Sequence, residues 1–302
     1  MVLQLTKIIP SDKINAQVIE LAHIFFDMMK ERHIMDNRPI GFFDSGLGGL
    51  TCIPFLHREL PKEKIVYYGD TARTPYGSKS IENIRRFSIQ IVEYLMSHDV
   101  KLIVIACNTV SATCLDTLRE RFPQIPIVGI INPMAKYISK EYEKGDNYGV
   151  IGTKVTINSG VYEETVKGLN DNINIKSLAC PALVPLIEEG IVKNEIMDLT
   201  VKYYLDDFIR INGINKLVLG CTHYPIIKEN LKRIYPDVKL LNPSEAVVYR
   251  VKDILIKENM LAENNDRENL CYASDLSENF LNMINLFFDK DKVDTNIMKF
   301  DD

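Results

Sequence analysis

The sequence of 302 residues contains no tryptophan, few cysteines and no long apolar run. Its longest apolar run, residues 102–107, is far shorter than the roughly 20 residues that a membrane-spanning helix needs. The six cysteines show no paired spacing, which argues against the disulfide framework of a small secreted protein. We therefore expect a cytoplasmic protein that makes no contact with membranes.

The sequence also lacks a large excess of either charge. It has 36 lysines and arginines against 41 aspartates and glutamates, which gives a formal net charge of −5. Because nucleic-acid binding usually demands a basic surface, we expect no nucleic-acid partner. Hydrophobic residues at 46% and charged residues at 25% are ordinary for a globular protein and argue against extensive disorder.

From Arg38 onward, short apolar runs alternate with longer amphipathic stretches. Nearly pure apolar runs of this length are typical of strands buried on both faces of a parallel sheet. The predicted strands are Ile40–Phe43, Ile65–Tyr68, Leu102–Ala106, Ile127–Ile130, Gly149–Ile151, Ile173–Leu178, Leu217–Leu219, Val238–Leu241 and Leu270–Ala273. The amphipathic stretches predict helices, including Ile81–His98, Glu195–Ile211 and Tyr224–Tyr235. This alternation predicts the α/β class.

Two segments of the chain resemble each other. Residues 101–109 and 216–223 each run from a lysine through an apolar strand to a cysteine and small polar residues. Each continues through a helix into another strand that closes with Asn-Pro. The repeat indicates two related α/β halves, each with one cysteine, Cys107 or Cys221, at the carboxyl end of a strand. Ligands of open α/β sheets bind at such strand ends.

Cys107 and Cys221 are the candidate reactive groups, because the start of a helix after each cysteine favours a thiolate. The other cysteines lie within helical or strand patterns and are interpreted as small buried hydrophobic residues: Cys52, Cys114, Cys180 and Cys271. Cys221 and His223 are also suitable zinc ligands. They lack the partner spacing of a zinc site, so we expect no metal.

Three loops follow other strand ends. Residues 44–49 are glycine-rich and open a helix, a combination that favours close approach of an anion such as a carboxylate. Thr51 stands where the dinucleotide fingerprint would need its third glycine, and no Gly-Lys-Ser/Thr of a P-loop follows. Residues 70–78 form a loop stiffened by proline, and residues 152–156 offer two hydroxyls at the start of a helix.

Taken in order, these segments closely resemble the glutamate racemases of the aspartate/glutamate racemase superfamily. The resemblance runs from about Arg38 to near the C-terminus. It is carried by Arg38–Thr51, Tyr68–Asp70, Pro75–Gly77, Ile105–Thr109, Gly149–Thr153, Cys180–Glu188 and Leu219–Pro225. The first 37 residues are the departure, since many family members lack them. Their apolar residues recur at helical spacing, which predicts an N-terminal helical appendage at residues 1–37.

The resemblance implies two pseudo-symmetric α/β domains with mainly parallel sheets and an active site in the cleft between them. Residues 38–130 and 246–302 would form the first racemase domain, and residues 131–245 the second. It also implies a cofactor-independent isomerase that interconverts L-glutamate and D-glutamate. Such an enzyme supplies D-glutamate for peptidoglycan, and hence for cell-wall biogenesis and cell shape.

By the same resemblance, Cys107 is the base toward D-glutamate and Cys221 the base toward L-glutamate. Asp44 and His223 would assist the first and second thiol respectively. The implied substrate-binding residues are Ser45, Pro75, Tyr76, Gly77, Asn108, Thr109, Thr153, Glu188 and Thr222. Expected partners are the small molecule glutamate, a second copy of the chain in a homodimer, and a peptidoglycan precursor as regulator, because some family members carry regulatory N-terminal extensions.

Three alternatives remain open at this point. One is a related racemase that acts on aspartate or hydantoins, although Asp44-Ser45 together with Cys221-Thr-His223 favours glutamate. A second is a thiol hydrolase or transferase, which would need only one essential cysteine and would form a covalent acyl intermediate. The third is a binding or regulatory protein that kept the fold, which the presence of both cysteines disfavours.

Overall fold

The computed structural model describes residues 36–263, 266–288 and 293–300. The predicted N-terminal helix lies outside the described residues. Within them, two separate parallel sheets are covered by helices, which confirms the predicted α/β class and its two halves. The described part of the chain contains no helix long and apolar enough to span a membrane.

The larger sheet, sheet A, has six parallel strands in the order β10-β9-β2-β1-β3-β4. Its strands are β1 (Ile40–Asp44), β2 (Ile65–Gly69), β3 (Leu102–Ile105), β4 (Ile127–Gly129), β9 (Asn269–Ala273) and β10 (Val293–Ile297). The central strand β1 pairs with β2 and β3, so the residues that follow these three strands emerge at one edge of the sheet.

The smaller sheet, sheet B, has four parallel strands in the order β6-β5-β7-β8. Its strands are β5 (Asn147–Gly152), β6 (Asn174–Ala179), β7 (Lys216–Gly220) and β8 (Lys239–Leu241). Sheet B therefore comes from one continuous stretch of chain, whereas sheet A receives its last two strands after sheet B is complete.

The helices connect the parallel strands and cover both sheets. They are α1 (Ile53–Glu59), α2 (Ile81–Ser97), α3 (Asn108–Thr113), α4 (Leu115–Arg121), α5 (Ile131–Lys140), α6 (Lys154–Asn158), α7 (Val161–Leu169), α8 (Leu183–Glu188), α9 (Glu195–Asn212), α10 (Lys228–Ile234), α11 (Pro243–Lys257) and α12 (Glu278–Phe287). Helix α9 begins where Asn194 accepts a hydrogen bond from the Met197 amide, and it ends at Gly213, whose φ of 59° suits glycine.

All nine predicted strands are present, with ends that differ by one or two residues. Strand β10 was not predicted, because it lies at the edge of sheet A and its sequence Val-Asp-Thr-Asn-Ile is largely polar. The predicted helix Tyr224–Tyr235 is instead a 3₁₀ turn, Tyr224–Ile227, followed by α10. Pro225 lies in that turn, where its missing amide proton costs no helical hydrogen bond.

The two sheets share one apolar layer. Phe42 of β1 and Val218 of β7 belong to the same buried cluster, and Met134 of α5 and Val247 of α11 lie in it too. Helix α5 packs against both α7 and α11, and α11 also packs against α1. Burial of this shared layer holds the two halves together on the side of α5 and α11.

A buried ion pair lies at the amino end of sheet A. The Nζ atom of Lys101 is 2.6 Å from a carboxylate oxygen of Glu63, and both side chains are almost fully buried. Lys101 also donates to the main-chain oxygens of Asp36 (2.6 Å) and Met260 (2.7 Å). These bonds join the start of the described chain to the segment after α11.

Candidate active site

The residues that follow β1, β3, β5 and β7 meet at one small cavity between sheets A and B. Its volume is about 20 Å³. All but two of the predicted site residues line it, together with two residues that were not predicted, Thr74 and Val184. The lining residues are Ser45, Thr74, Pro75, Tyr76, Gly77, Cys107, Asn108, Thr109, Thr153, Val184, Cys221, Thr222 and His223. The two cysteines therefore share one cavity, and each comes from a different sheet.

Cys107 lies between β3 and the first turn of α3 and is almost fully buried. Its Sγ atom donates a hydrogen bond to the Ser45 hydroxyl at 3.4 Å. Burial, reinforced by the nearby charge of Asp44, raises the pKa of Cys107 to about 12. The helix start does favour a thiolate here, since the backbone hydrogen bond from Val110 lowers the pKa of Cys107, but burial outweighs this effect.

Cys221 lies beside a buried cation instead. Its Sγ atom is 3.8 Å from Nδ1 of His223, whose Nε2 is 2.5 Å from a carboxylate oxygen of Glu188. Burial alone would lower the pKa of His223, but its hydrogen bonds to Cys221 and Glu188 outweigh burial and raise the pKa well above its ordinary value. His223 is thus an imidazolium near neutral pH, held between a sulfur and a carboxylate.

The two predicted residues outside the cavity lining lie directly behind it. Asp44 is fully buried, and its carboxylate accepts hydrogen bonds from the Gly46 amide and the Thr222 hydroxyl, both at 3.1 Å. Burial raises the pKa of Asp44, whereas His223 and these hydrogen bonds oppose the rise. Glu188 contacts His223 and is not among the residues that line this cavity.

Hydroxyls from the two halves meet on another side of the cavity. Thr109 of α3 lies 3.0 Å from the hydroxyl of Thr153 and 3.2 Å from that of Thr156. Nearby, Asn108 accepts a hydrogen bond from the Tyr162 hydroxyl at 2.6 Å. The Asn108 side-chain nitrogen is buried with no partner among the described residues, so it is available as a donor to a bound molecule.

The loop from Pro75 to Gly77 crosses toward sheet B. A Cβ atom on Gly77 would lie 2.4 Å from Cβ of Thr153, so only glycine permits this approach. The Tyr76 ring is buried against Phe87, with ring centres 5.8 Å apart, and its hydroxyl donates to Asp70. The phenol is thus engaged away from the cavity. Any contact that Tyr76 makes with a ligand comes from the rest of the residue.

Some residues at this site were missed for different reasons. Thr74 adjoins the predicted Pro75, and its hydroxyl is a usable signal. Thr156 supplies one of the two hydroxyls noted in residues 152–156, although it was not assigned to the site. Tyr162 lies in α7, outside the predicted segments, so only the tertiary structure reveals its bond to Asn108. Across the described ranges, no three His, Cys, Asp or Glu side chains are grouped so that they could hold a metal ion.

Comparisons with known proteins agree with this architecture. Residues 52–251 match the family described as Asp/Glu/Hydantoin racemase. A glutamate racemase from Sulfurihydrogenibium sp. is 48% identical over 217 residues, which cover 72% of this chain and 82% of that protein.

Solved structures are similar as well. A Francisella tularensis glutamate racemase in complex with D-glutamate has a TM-score of 0.80 at 37% identity and covers 88% of this chain and 98% of its own. The Escherichia coli glutamate racemase in complex with L-glutamate and the activator UDP-MurNAc-ala has a TM-score of 0.72 at 25% identity, with coverage of 87% and 98%. The chain belongs to the aspartate/glutamate racemase family and, within it, to the glutamate racemases, which are isomerases.

Proposed function

We propose that this enzyme racemises glutamate by moving protons between the substrate's Cα and two thiols, Cys107 and Cys221. One observation carries the proposal: the two cysteines come from different sheets and line the same cavity. Inversion at Cα needs a base on one face of the carbon and an acid on the other. A thiol suits both roles, because its ordinary pKa of about 8.5 makes thiol and thiolate accessible near neutral pH.

The surroundings of the two thiols differ. Burial and the charge of Asp44 raise the pKa of Cys107, whereas the Cys221 sulfur lies 3.8 Å from Nδ1 of His223. In the resting state that we propose, Cys107 carries the proton and Cys221 is the base. The Cys221 thiolate takes the proton from Cα of L-glutamate, and Cys107 gives its own proton to the opposite face. D-glutamate leaves, Cys107 is then the thiolate and Cys221 the thiol, and this state accepts D-glutamate for the reverse reaction. Exchange of protons with water restores the resting state.

The polar lining residues would hold the substrate while its Cα carries charge. Ser45, Asn108, Thr109, Thr153 and Thr222 supply donors for the amino-acid end, and the Asn108 nitrogen without a partner among the described residues favours this role. Pro75, Tyr76 and Gly77 would contribute main-chain groups. We assign Glu188 a different role from direct substrate binding: its bond to His223 keeps the imidazole protonated.

The cavity supports a change of shape during the reaction. A volume of about 20 Å³ holds roughly one water molecule, far less than glutamate needs. We therefore propose that the two halves separate to admit the substrate. This opening would break side-chain contacts between them, among them Thr222 to Asp44, Thr109 to Thr153 and Tyr162 to Asn108.

We also propose the two-domain division implied by the resemblance, with residues 38–130 and the C-terminal segment as one unit. The strands of sheet A lie in residues 40–129 and 269–297, and those of sheet B in residues 147–241, which supports it. The boundary after residue 130 coincides with the start of α5. The boundary at residue 245 falls inside α11, so we move it to Asn242, the N-cap of that helix.

The wider role follows from the family. We propose that the enzyme acts in the cytoplasm as a homodimer and supplies D-glutamate for peptidoglycan. The Escherichia coli structure contains the activator UDP-MurNAc-ala, which supports a peptidoglycan precursor as a regulator of this chain. Deleting residues 1–34 and comparing activity, response to the precursor and mass in solution would test whether the appendage has a part in regulation or assembly.

The proposed activity is tested by proton NMR in D₂O with no cofactor added. With purified enzyme and first L-glutamate, then D-glutamate, we expect the Cα–H signal to disappear and optical rotation to decay to zero from either side. A folded, reduced sample that exchanges neither enantiomer, with or without the precursor, would contradict the proposal. The same assay with aspartate and hydantoins decides between glutamate and the related substrates.

A further inference from the structure

Asp70, which closes the motif Tyr68–Asp70 but was not among the predicted site residues, is a buried carboxylate with donors from two segments of chain. It follows β2 and is fully buried. Arg73 Nε lies 2.7 Å from one carboxylate oxygen and 3.0 Å from the other, and the Ser274 hydroxyl donates to the latter at 2.9 Å. The Tyr76 hydroxyl donates to the same oxygen that Arg73 approaches more closely. Donors this numerous fix the carboxylate in one place.

Tyr76 connects this carboxylate to the cavity. Its neighbours Pro75 and Gly77 line the cavity, and Gly77 packs directly on Thr153 of the other half. The Tyr76 side chain is almost fully buried, and burial together with the charge of Asp70 raises its pKa far above the ordinary value. The phenol therefore remains a proton donor at any working pH, and its bond to Asp70 fixes the middle of the loop.

The rest of the network holds Asp70 itself. The Arg73 guanidinium lies 4.0 Å from the centre of the Phe87 ring and 5.4 Å from that of Phe300. Its Nη1 donates to Gln90 of α2 at 2.8 Å. These contacts place the carboxylate between helix α2 and the C-terminal segment.

We propose that Asp70 is the positioning residue of the glutamate-binding loop, Pro75–Gly77, and acts through the Tyr76 hydroxyl. The inference rests on the proposed function, because it assumes that this loop binds glutamate. A displaced loop would misplace main-chain groups that contact the substrate, whereas the two thiols, carried by other elements, would stay in position. Loss of Asp70 therefore weakens substrate binding more than it slows proton transfer.

The buried pair of Lys101 and Glu63 provides a matched control. It is also a buried ion pair of sheet A, but it lies at the opposite end of the strands, and its bonds reach Asp36, Met260 and Ala262. None of these residues lines the cavity. A substitution in this pair should therefore lower the stability of the protein and leave substrate binding unaffected.

The experiment compares wild type with Asp70→Asn, Tyr76→Phe, the double variant and Glu63→Gln by kcat and KM for both enantiomers and by thermal unfolding. We expect Asp70→Asn and Tyr76→Phe each to raise KM about tenfold or more, with kcat changed less than about threefold. The double variant should be no worse than the more severe single variant, because both break one link. Glu63→Gln should lower Tm and leave KM unchanged.

Two further measurements keep the result decisive. Ser274→Ala removes a single donor and should raise KM in the same direction by about twofold to fivefold, even if a charge-changing variant does not fold. Calorimetric titration with D-glutamate should give the same ranking in Kd. A KM and Kd within twofold of wild type for folded Asp70→Asn would overturn the inference. A wild type that binds D-glutamate but racemises neither enantiomer would overturn the proposed function instead, and leave the Kd comparison to judge Asp70.

Discussion

The two cysteines occupy equivalent positions in the repeat but have opposite electrostatic surroundings. Each follows a buried strand that leads to the shared cavity. Cys107 has the Asp44 carboxylate nearby and a pKa raised to about 12, whereas Cys221 lies beside the cationic His223. The backbone repeat supplies two similar positions for thiols, and side chains that do not repeat give the two sulfurs different electrostatic surroundings.

The largest expected effect comes from removing either of the two thiols. Cys107→Ala and Cys221→Ala should each lower kcat/KM by at least about 10²–10⁴-fold in both directions, since each turnover needs one acid and one base. The rates of Cα–H exchange and of optical-rotation decay measure this fall in kcat/KM. Cys52→Ala is the control, because Cys52 is buried outside the cavity lining and should retain nearly normal turnover. Near-normal turnover in either catalytic variant would refute the two-thiol scheme, and a trapped acyl intermediate would support the hydrolase alternative.

An intermediate effect is expected at the contact of Gly48, which follows β1, with Thr222 and His223, which follow β7. A Cβ atom on Gly48 would lie 2.5 Å from the Thr222 hydroxyl and 2.7 Å from Nδ1 of His223. The added methyl group of Gly48→Ala should therefore hold the segment that carries Cys221 away from the segment that carries Cys107. We expect this displacement to lower kcat/KM about 10- to 100-fold. Steady-state kinetics in both directions provide the measurement.

Gly168→Ala is the matched control for that substitution. Gly168 lies in α7 with nothing within 4 Å of the added Cβ. We expect unchanged kinetics and a gain of about 0.5–1 kcal/mol in the free energy of unfolding, because alanine is the better helix former. Equal kinetic losses in the two variants would contradict a specific closure contact at Gly48.

The smallest expected effect is a change in thermal stability on replacing Asp44 by asparagine, which removes the charge and keeps the size of the side chain. Because burial raises the folded-state pKa of Asp44 above its ordinary value, the protonated carboxyl favours folding at low pH, and this contribution is lost as the pH rises through that pKa. Asp44→Asn should unfold at a Tm about 2–4 °C above wild type at pH 8. The difference in Tm between the variant and wild type should narrow as the pH falls toward 4. The activity of the variant should be reduced at every pH. A Tm below wild type at pH 8 would show that the hydrogen bonds to Asp44 outweigh its burial.

Local patterns were sufficient to predict the strands and the positions of the two cysteines. Fully apolar runs such as Leu102–Ile105 have few other interpretations, and a cysteine directly after such a run must lie at the carboxyl end of a buried strand. The edge strand β10 could not be predicted in this way, since it is half-polar and derives its order from pairing with β9.

The electrostatics of the site could not be predicted from the sequence. The helix start after Cys107 suggested a thiolate, yet the tertiary structure buries this sulfur near Asp44 and reverses the preference. Glu188 belonged to a correctly identified segment, but only the folded chain reveals that its carboxylate contacts His223. Proton affinities depend on neighbours that are distant in sequence, and such neighbours leave no periodic or compositional signal.

The split origin of sheet A has a consequence for the enzyme's synthesis. During translation every strand of sheet B has been made by residue 241, while sheet A still lacks β9 and β10. Ser274 and Phe300, which fix Asp70 and Arg73, are made still later. A nascent chain thus carries both cysteines long before the loop Pro75–Gly77 is anchored. We expect chains that end before β9 to bind glutamate far more weakly than chains that include Ser274 and Phe300.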